Sequence, residues 1–395
     1  MKTPLFIGLV PNAIVNNANR FMAPVGSASG SSTAIPRVPI CEAGTLSRLK
    51  VRLGTELSGG GQYVFTLMKN NAAESMAVTL TSGEQSETDT VNTVAVGEGD
   101  DIMIRCTPTS TPTTQANVQL GMVFEATAPG KGIIVAFHAA SGAALFMALG
   151  GLGSDNAEGD VQVIAPTSGT ISKIRARRNT APGGIEEVTY TLRVNGVDSA
   201  LSCTISGSDT QDSGAASVAI AAGDLLSIGV TISDLPASSV GGVSLDWAPT
   251  VDGESLFFGT GNTGLSNAAA RYMQVAGVAG RDTEADAQGV APIAFTARAL
   301  RARTVTAPGS GKSWTYALRK SGASQDLTCT IADAATSAAD ATHSVAVAED
   351  DLVNILIAPT ATPTATASMT VSMVAYVPGA APPSGGRNLL LMGVG

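Results

Sequence analysis

The sequence predicts an all-β chain built from three tandem antiparallel β-sandwich domains of a jelly-roll-like kind. Three observations support this prediction. One eight-residue pattern occurs three times, apolar and polar residues alternate inside each copy, and 44% of the 395 residues are hydrophobic while only 14% are charged. That apolar content is enough to offset chain entropy with packed cores, and a chain of this length usually forms two to four domains.

The repeated pattern lies in residues 45–52, 170–177 and 296–303. Each segment begins with Thr and ends with Arg, and the steps between their starts are 125 and 126 residues. A pair formed by an aromatic residue and Met precedes each segment at the same distance, as Phe21-Met22, Phe146-Met147 and Tyr272-Met273. A unit that stays in step over three copies indicates an internal repeat of about 125 residues.

This repeat sets the predicted domain boundaries. We predict repeat 1 at residues 1–126, repeat 2 at 127–251, repeat 3 at 252–378, and a linker with an apolar C-terminal tail at 379–395. Residues 5–10 are apolar like part of a leader, but they stop at Pro11 and belong to a repeat, so we expect folded structure there. The tail is either a strand that completes a sheet or a peg for a partner. Three similar domains are compatible with a pseudo-three-fold arrangement, and the sequence leaves open whether they close into a ring or form a string.

Inside each copy the hydrophobic pattern has period two. Leu49 and Val51 alternate with basic residues, as expected of a half-buried strand. Acidic turns connect later strand pairs, at residues 97–101, 223–224 and 349–351. Gly and Asp in these turns supply the positive φ and the local hydrogen bonds that a hairpin needs, and frequent turns favour a sandwich of jelly-roll size. Helices are expected to be few.

Residues 259–264 match the Gly-x-Gly-x-x-Gly pattern of dinucleotide-binding loops and precede a possible helix over residues 265–275. A dinucleotide fold needs alternating strands and helices, and the rest of the chain does not show them. We therefore expect a Gly-rich loop between strands and no cofactor.

Acidic residues recur after the second strand of repeats 2 and 3, as Asp155, Glu158 and Asp160 and again as Glu284 and Asp286. Such oxygen ligands could surround calcium, but the matching positions of repeat 1 carry no acids, so we expect a solvated loop and no metal. The cysteines have no metal-ligand spacing and are expected to be free, buried, small side chains; they are Cys41, Cys106, Cys203 and Cys329.

The supply of catalytic groups is poor. The sequence has two histidines, His138 and His343, and no Gly-x-Ser-x-Gly elbow or ordered triad. We therefore expect no catalytic residue and no enzyme activity.

Charge also restricts the class of partner. The net charge of −9 disfavours nucleic-acid binding, which needs a basic surface, and no run of 18 apolar residues is present to span a membrane. One strand of each copy is nevertheless basic, through Arg48, Lys50, Arg52, Lys173, Arg175, Arg177, Arg298, Arg301 and Arg303. This strand is either a solvated face that balances an acidic protein or a repeated patch that faces an acidic protein partner.

Strand segments such as residues 313–322 and 342–347, set in repeats rich in Gly, Ala, Ser and Thr, resemble structural proteins of tailed bacteriophage virions. The resemblance covers all three copies, and proteins of this kind include capsid decoration (cement) proteins, which are often jelly-roll-like trimers on the shell. It implies a non-enzymatic protein of the virion, assembled in the host cytoplasm. Its expected partners are the major capsid protein or other virion proteins, and self-association is also compatible with it. A trimer of this kind would here be fused into one chain.

Two other functions remain open. A phage tail, baseplate or fibre component would share the β-rich repeats but be present in few copies per particle. A secreted carbohydrate-binding array of β-sandwiches would usually repeat an exposed aromatic platform. Trp247 and Trp314 are not at equivalent positions, which places the array last.

Overall fold

The computed structural model describes residues 1–10, 14, 17–23, 37–151, 153–234, 236–261, 267–278, 280–366 and 368–378. Within these ranges the chain consists of β-strands, two 3₁₀ turns and connecting loops, which confirms the all-β prediction. The possible helix over residues 265–275 is wrong in its described part. There Arg271–Met273 is a strand, because it pairs with Ile355–Ile357 of a longer strand. No helix in the described ranges is long and apolar enough to cross a membrane.

Repeat 1 folds into two sheets. Its strands are β1 (Lys2–Val10), β2 (Arg20–Met22), β3 (Val38–Pro39), β4 (Gly44–Arg52), β5 (Gln62–Lys69), β6 (Ala72–Leu80), β7 (Ser86–Val96), β8 (Asp101–Thr109) and β9 (Val118–Ala126). One sheet has the order β1-β9-β4-β7 and the other the order β2-β8-β5-β6, with β3 paired to β8. Following the chain, β1, β4, β7 and β9 in the first sheet are separated by strands of the second, so the chain crosses repeatedly between the two sheets, as in a jelly roll.

Repeat 2 has the same arrangement. Its elements are β10 (Gly132–Ser141), β11 (Leu145–Met147), β12 (Ser154–Asp155), η1 (Glu158–Asp160), β13 (Val163–Ile164), β14 (Gly169–Arg178), β15 (Glu187–Val194), β16 (Val197–Ser206), β17 (Gln211–Ile220), β18 (Leu225–Ser233) and β19 (Ser239–Pro249). The sheets are β10-β19-β14-β17 and β12-β11-β18-β15-β16, with β13 paired to β18.

Repeat 3 follows the same plan again. Its elements are β20 (Glu254–Gly261), β21 (Arg271–Met273), β22 (Gly277–Val278), β23 (Gly280–Arg281), η2 (Glu284–Asp286), β24 (Gly289–Val290), β25 (Phe295–Thr304), β26 (Gly309–Lys320), β27 (Ala323–Asp333), β28 (Ser337–Val347), β29 (Leu352–Thr360) and β30 (Met369–Tyr376). The sheets are β22-β20-β30-β25-β28 and β23-β21-β29-β26-β27, with β24 paired to β29. In every repeat we call the sheet that contains the first strand the inner sheet and the other the outer sheet.

Each described sheet draws all its strands from one of the three predicted residue ranges. The chain is therefore three tandem antiparallel β-sandwiches. The C-terminal tail at 379–395 and most of the Gly-rich loop lie outside the described residues, so the predictions for them stay open.

The core of each sandwich is filled by alternate residues of facing strands. An aromatic residue of the outer sheet is fully buried at the same position in each repeat, as Phe65, Tyr190 and Tyr316. The four cysteines are free and buried, as predicted. Burial raises the pKa of the Cys203 and Cys329 thiols to about 12, which keeps them protonated and unreactive.

One aspartate joins the two sheets of each repeat at their open edge. It lies on the edge strand of the inner sheet, which is β7, β17 or β28, and accepts a hydrogen bond from a backbone N–H of the facing strand in the outer sheet. The pairs are Asp89 with Ala77 (3.0 Å), Asp212 with Thr204 (2.8 Å) and Asp340 with Thr328 (3.0 Å). Because each bond satisfies an N–H at a sheet edge, it also blunts an edge that could otherwise pair with another chain.

Candidate functional site: the contacts between the repeats

The first strands of the three repeats, β1, β10 and β20, lie against one another. In β10, Ile134 and Ala136 face the core of repeat 2, whereas Ile133, Val135 and Phe137 pack with the core of repeat 1. A strand that is buried on both faces is apolar throughout instead of alternating. The continuous apolar run of β10 is therefore explained by its position between two repeats.

Strand β20 repeats this arrangement. Leu256 and Phe258 join the core of repeat 2, and Phe257 packs into the core of repeat 3. The cavity among the three first strands is only about 20 Å³, room for about one water molecule. The repeats thus meet through a closely packed apolar contact.

Each repeat also lays one short strand on the inner sheet of another. Strand β3 contacts β14 and β19 of repeat 2, β13 contacts β25 and β30 of repeat 3, and β24 contacts β4, β9 and β1 of repeat 1. We call these contacts junction 1–2, junction 2–3 and junction 3–1. Since the last one returns to the first repeat, the described residues close into a ring instead of forming a string.

Junction 3–1 is built around the basic strand of repeat 1. Arg48 donates through Nε to the carbonyl oxygen of Pro292 at 3.1 Å, and its guanidinium also pairs with Glu349. Lys50 Nζ lies 2.5 Å from a carboxylate oxygen of Asp350 and 3.5 Å from one of Glu349. The side chain of Lys50 is only 3% exposed. A nearly buried ammonium group needs a counter-charge, and the acidic turn of repeat 3 supplies it.

Junction 1–2 uses the basic strand of repeat 2. Lys173 Nζ lies 3.2 Å from carboxylate oxygens of both Glu42 and Glu98. Arg177 Nε lies 3.0 Å from Asp101, which is 5% exposed. Burial alone would lower the pKa of Lys173, but its bonds to the two glutamates raise it above the usual value. Burial raises the pKa of Asp101 more than Arg177 and another nearby arginine lower it.

A buried aspartate fixes the position of Lys173. Asp246, with 0% exposure, accepts hydrogen bonds from the backbone N–H groups of Ser172 and Lys173 at 2.6 and 2.7 Å, and from Lys131 Nζ at 2.8 Å. Burial would raise the pKa of Asp246, but these bonds lower it below the usual value. The ionised carboxylate holds the irregular register of β14, and so directs the Lys173 side chain towards repeat 1.

Junction 2–3 uses mainly neutral oxygen atoms as acceptors, together with one carboxylate oxygen of Glu254 that accepts from Thr167 Oγ1 at 2.6 Å. Arg303 donates to the carbonyl oxygen of Gly159 at 2.6 Å. Three hydroxyl groups on alternate residues, one just before β30 and two within it, donate to alternate carbonyl oxygens of repeat 2. Ser368 bonds to Asp160, Thr370 to Gln162 (3.1 Å) and Ser372 to Ile164 (2.5 Å). The described residues show no ion pair across this junction. We call the three hydroxyl groups the hydroxyl ladder.

Two glycines make the close approach at the other junctions possible. A Cβ atom on Gly121 would lie 2.9 Å from the carbonyl oxygen of Val290, and one on Gly242 would lie 2.5 Å from that of Arg37. Both distances are shorter than a carbon–oxygen contact allows. Any side chain at these positions would push the neighbouring repeat away.

The structure places most of the predicted basic residues at these junctions. Those in contact with another repeat are Arg48, Lys50, Lys173, Arg175, Arg177, Arg301 and Arg303. Arg298 instead pairs with Glu254 of its own repeat at 2.7 Å and stacks on Tyr376. The remaining basic residue is Arg52, and burial lowers its pKa. That this strand also meets a partner protein stays a prediction.

The acidic loops do not assemble into a metal site in the described part of the chain. Glu158 instead pairs with Arg193 at 2.9 Å, and Glu284 pairs with Arg319 at 2.6 Å. These acids therefore serve as structural partners of arginines on the outer sheets.

Sequence reasoning missed the hydroxyl ladder and the short strands β3, β13 and β24. The sequence does contain a signal for the ladder, because polar residues recur at period two along the start of β30 and the residue before it, while the alternate residues are apolar; the polar residues are Ser368, Thr370 and Ser372. The short strands have only two residues each, too few for a periodic pattern.

No family model matches the sequence, and no curated protein matches it. Among solved structures, a protein with a triple jelly roll fold from the turret assembly of an archaeal virus aligns over 94% of this chain and 90% of its own, at 11% identity and a TM-score of 0.20. A structure of Sulfolobus Turreted Icosahedral Virus aligns over 94% and 91%, at 11% identity and a TM-score of 0.16. At these TM-scores the likeness carries no argument about function.

Proposed function

We propose that this chain is a non-enzymatic structural protein of a virus particle, and that it acts as a decoration or cement protein on the outer shell. The observation that carries the proposal is the closed cycle of junctions 1–2, 2–3 and 3–1. Three similar sandwiches in a ring are the covalent counterpart of a trimer. Such a body can present three related surfaces to a local three-fold site of a shell.

Fusion of the three repeats suits this role physically. When three weak contacts belong to one rigid body, binding of the first raises the effective concentration of the other two. Firm attachment then needs no strong single contact. Differences in sequence among the repeats also permit the three neighbours on the shell to differ.

The expected partner is the major capsid protein or another virion protein, and the expected location is the virion. The runner-up is a tail, baseplate or fibre component, in which the ring would surround or extend an axial structure. The two functions differ in stoichiometry, because a shell has many three-fold sites whereas a tail has one or a few copies of each ring.

The test is quantitative mass spectrometry of purified particles from the source, with the major shell protein as the internal standard. Hundreds of copies of this chain per particle support decoration. A handful of copies would indicate a tail or baseplate component instead. Absence from the particle would overturn the virion proposal.

A second measurement tests the three-point attachment. Shells stripped of this protein are incubated with the full chain, with a variant that lacks repeat 2, and with a chain cut at an inserted protease site in residues 127–131. We expect deletion of one repeat to weaken binding by far more than a third and the cut ring to bind nearly as the intact one. A loss proportional to the number of repeats would contradict the covalent-trimer model.

A further inference from the structure

The outer sheets of the three repeats differ at one position that faces solvent. The second strand of each repeat carries an aromatic residue, and the residue directly across from it differs in every copy. The cross-strand pairs are Phe21 with Arg105, Phe146 with Gly229, and Tyr272 with Leu356. Only repeat 2 has a residue without a side chain opposite its aromatic ring.

This glycine leaves a groove of about 250 Å³ on the outer sheet of repeat 2. A Cβ atom on Gly229 would lie 2.9 Å from Cδ of Arg193 and 3.9 Å from the ring of Phe146, so any side chain at this position would displace Arg193, which forms one wall of the groove. Its apolar surface is the partly exposed ring of Phe146, whereas the side chains of Leu145 and Val230, which also border the groove, turn into the core beneath it. Its rim is polar and consists of Asn156, Thr191, Arg193, Asp198 and Thr231.

The arginine wall of the groove is held in place before any ligand arrives. Arg193 donates to both carboxylate oxygens of Glu158, at 2.9 and 3.1 Å, and also pairs with Asp198. Its guanidinium carbon lies 5.4 Å from the centre of the Phe146 ring. Glu158 is itself fixed by a 2.7 Å hydrogen bond from Ser227. A ligand therefore meets a preformed surface and does not have to order these side chains.

The charges at the groove restrict the ligand. The positive charge of Arg193 is already balanced by Glu158 and Asp198, so no free cation awaits an anionic group. The side chain of Asp198 is 64% exposed on the rim, and a negative ligand would be repelled by it. A neutral ligand with hydroxyl groups matches this rim, because carboxylate, amide and Thr groups can each exchange hydrogen bonds with hydroxyls.

We propose that this groove binds one neutral pyranose unit of a glycan. A pyranose ring has an apolar C–H face, which suits the floor at Phe146, and an equatorial edge of hydroxyl groups, which suits the polar rim. The volume accommodates a single ring, and pockets of this kind combine apolar walls with a few placed polar groups. The site is additional to the shell contacts proposed above and belongs to repeat 2 alone.

Repeat 3 supplies the comparison. There Leu356 stands opposite Tyr272, and Arg271 pairs with Asp282, the counterpart of Asn156. Arg319 still lies over the Tyr272 ring at 5.8 Å and pairs with Glu284. The arginine and aromatic pair is thus shared by the two repeats, and the glycine is what distinguishes the groove.

The test is a screen of the full chain against a glycan array, followed by saturation-transfer NMR with the best neutral monosaccharide. We expect millimolar binding by the wild-type protein and at least a tenfold loss in Gly229→Leu, which copies the residue of repeat 3. Leu356→Ala, on the equivalent face of repeat 3, is the matched control and should bind as the wild type does. Phe146→Ala, checked for an unchanged melting temperature, removes the floor independently and should also abolish binding.

Three results would overturn the proposal. They are the absence of binding to every neutral glycan, a Gly229→Leu variant that binds equally well, and binding restricted to acidic glycans. Attachment to stripped shells should be unchanged in Gly229→Leu, so failure of the glycan site and failure of the decoration role can be told apart.

Discussion

Junction 2–3 and junction 3–1 have the same geometry and different chemistry. At both, a two-residue strand of one repeat lies on the inner sheet of the next. Junction 2–3 is held by the hydroxyl ladder, whereas junction 3–1 is held by Arg48 and Lys50 against Glu349 and Asp350. The repeats have therefore kept the shape of the contact while replacing the atoms that stabilise it.

The covalent connection offers a physical reason for this difference. Residues 250–253 join β19 of repeat 2 directly to β20 of repeat 3. Because this linker is short, the two repeats have a high effective concentration for each other, even if their contact is weak. No peptide segment joins repeat 3 back to the start of repeat 1 within the described residues. Charged pairs favour the correct partner and disfavour wrong ones more than neutral hydrogen bonds do. The junction without a linker is thus the one where charge complementarity contributes most to specificity.

The largest expected effect comes from removing the acids of junction 3–1. In Glu349→Ala/Asp350→Ala, a closed junction would bury the ammonium of Lys50 without a counter-charge, at a cost of about 3 kcal/mol. We expect this junction to open while the three sandwiches stay folded. Small-angle X-ray scattering should show a larger radius of gyration with unchanged far-ultraviolet circular dichroism.

The matched control is Glu98→Ala at junction 1–2. Lys173 keeps Glu42 there, Arg177 keeps Asp101, and residues 127–131 still join the repeats. We expect a loss below about 1 kcal/mol, in the range of exposed ion pairs, and no change in the radius of gyration. Equal expansion in both variants would show that the missing linker is not what makes junction 3–1 sensitive.

A smaller effect is expected from the hydroxyl ladder. Ser368→Ala/Thr370→Val/Ser372→Ala removes three hydrogen bonds to carbonyl oxygens at junction 2–3. At about 0.7 kcal/mol each, net of exchange with water, the loss is about 2 kcal/mol. Because neutral groups are involved, this loss should be the same in 0.05 and 1 M salt, whereas the contribution of junction 3–1 should fall with salt. Urea unfolding of repeat 3 measures both. Ser344→Ala, an exposed serine on β28, serves as the control.

The sequence predicted the sandwiches well because their signals are local and repeated. The period-two pattern around Leu49 and Val51 places β4, and the aromatic-Met pairs mark β2, β11 and β21. The junctions were harder to predict, since they join residues far apart in sequence. Arg48 and Glu349 are 301 positions apart, and nothing in the basic strand alone distinguishes a solvated face from an internal contact. The groove at Gly229 depends on the absence of a side chain, which becomes visible only when the cross-strand pairs of the three repeats are compared.

The smallest expected effect concerns acid stability within a single repeat. Burial would raise the pKa of Asp340, but bonds from the N–H groups of Thr328, His343 and Thr342 lower it well below its usual range. A carboxyl group with a lowered pKa in the folded state stabilises the fold above its unfolded pKa of about 3.9, and this stabilisation is lost as the pH falls through the folded value. Asp340→Asn should therefore be less stable than the wild type by about 1 kcal/mol at pH 7, and the difference should shrink below about pH 4.

Urea midpoints at pH 7, 4, 3 and 2.5 measure this convergence. Thr342→Val removes one neighbouring donor but keeps the carboxylate, so its stability should still fall with acid as the wild type does. Parallel curves for the wild type and Asp340→Asn would mean that the carboxylate does not titrate with unfolding. In that case Asp340 would join the two sheets through its shape and not through its charge. Junction 3–1 differs, because there the charges of Glu349 and Asp350 are required.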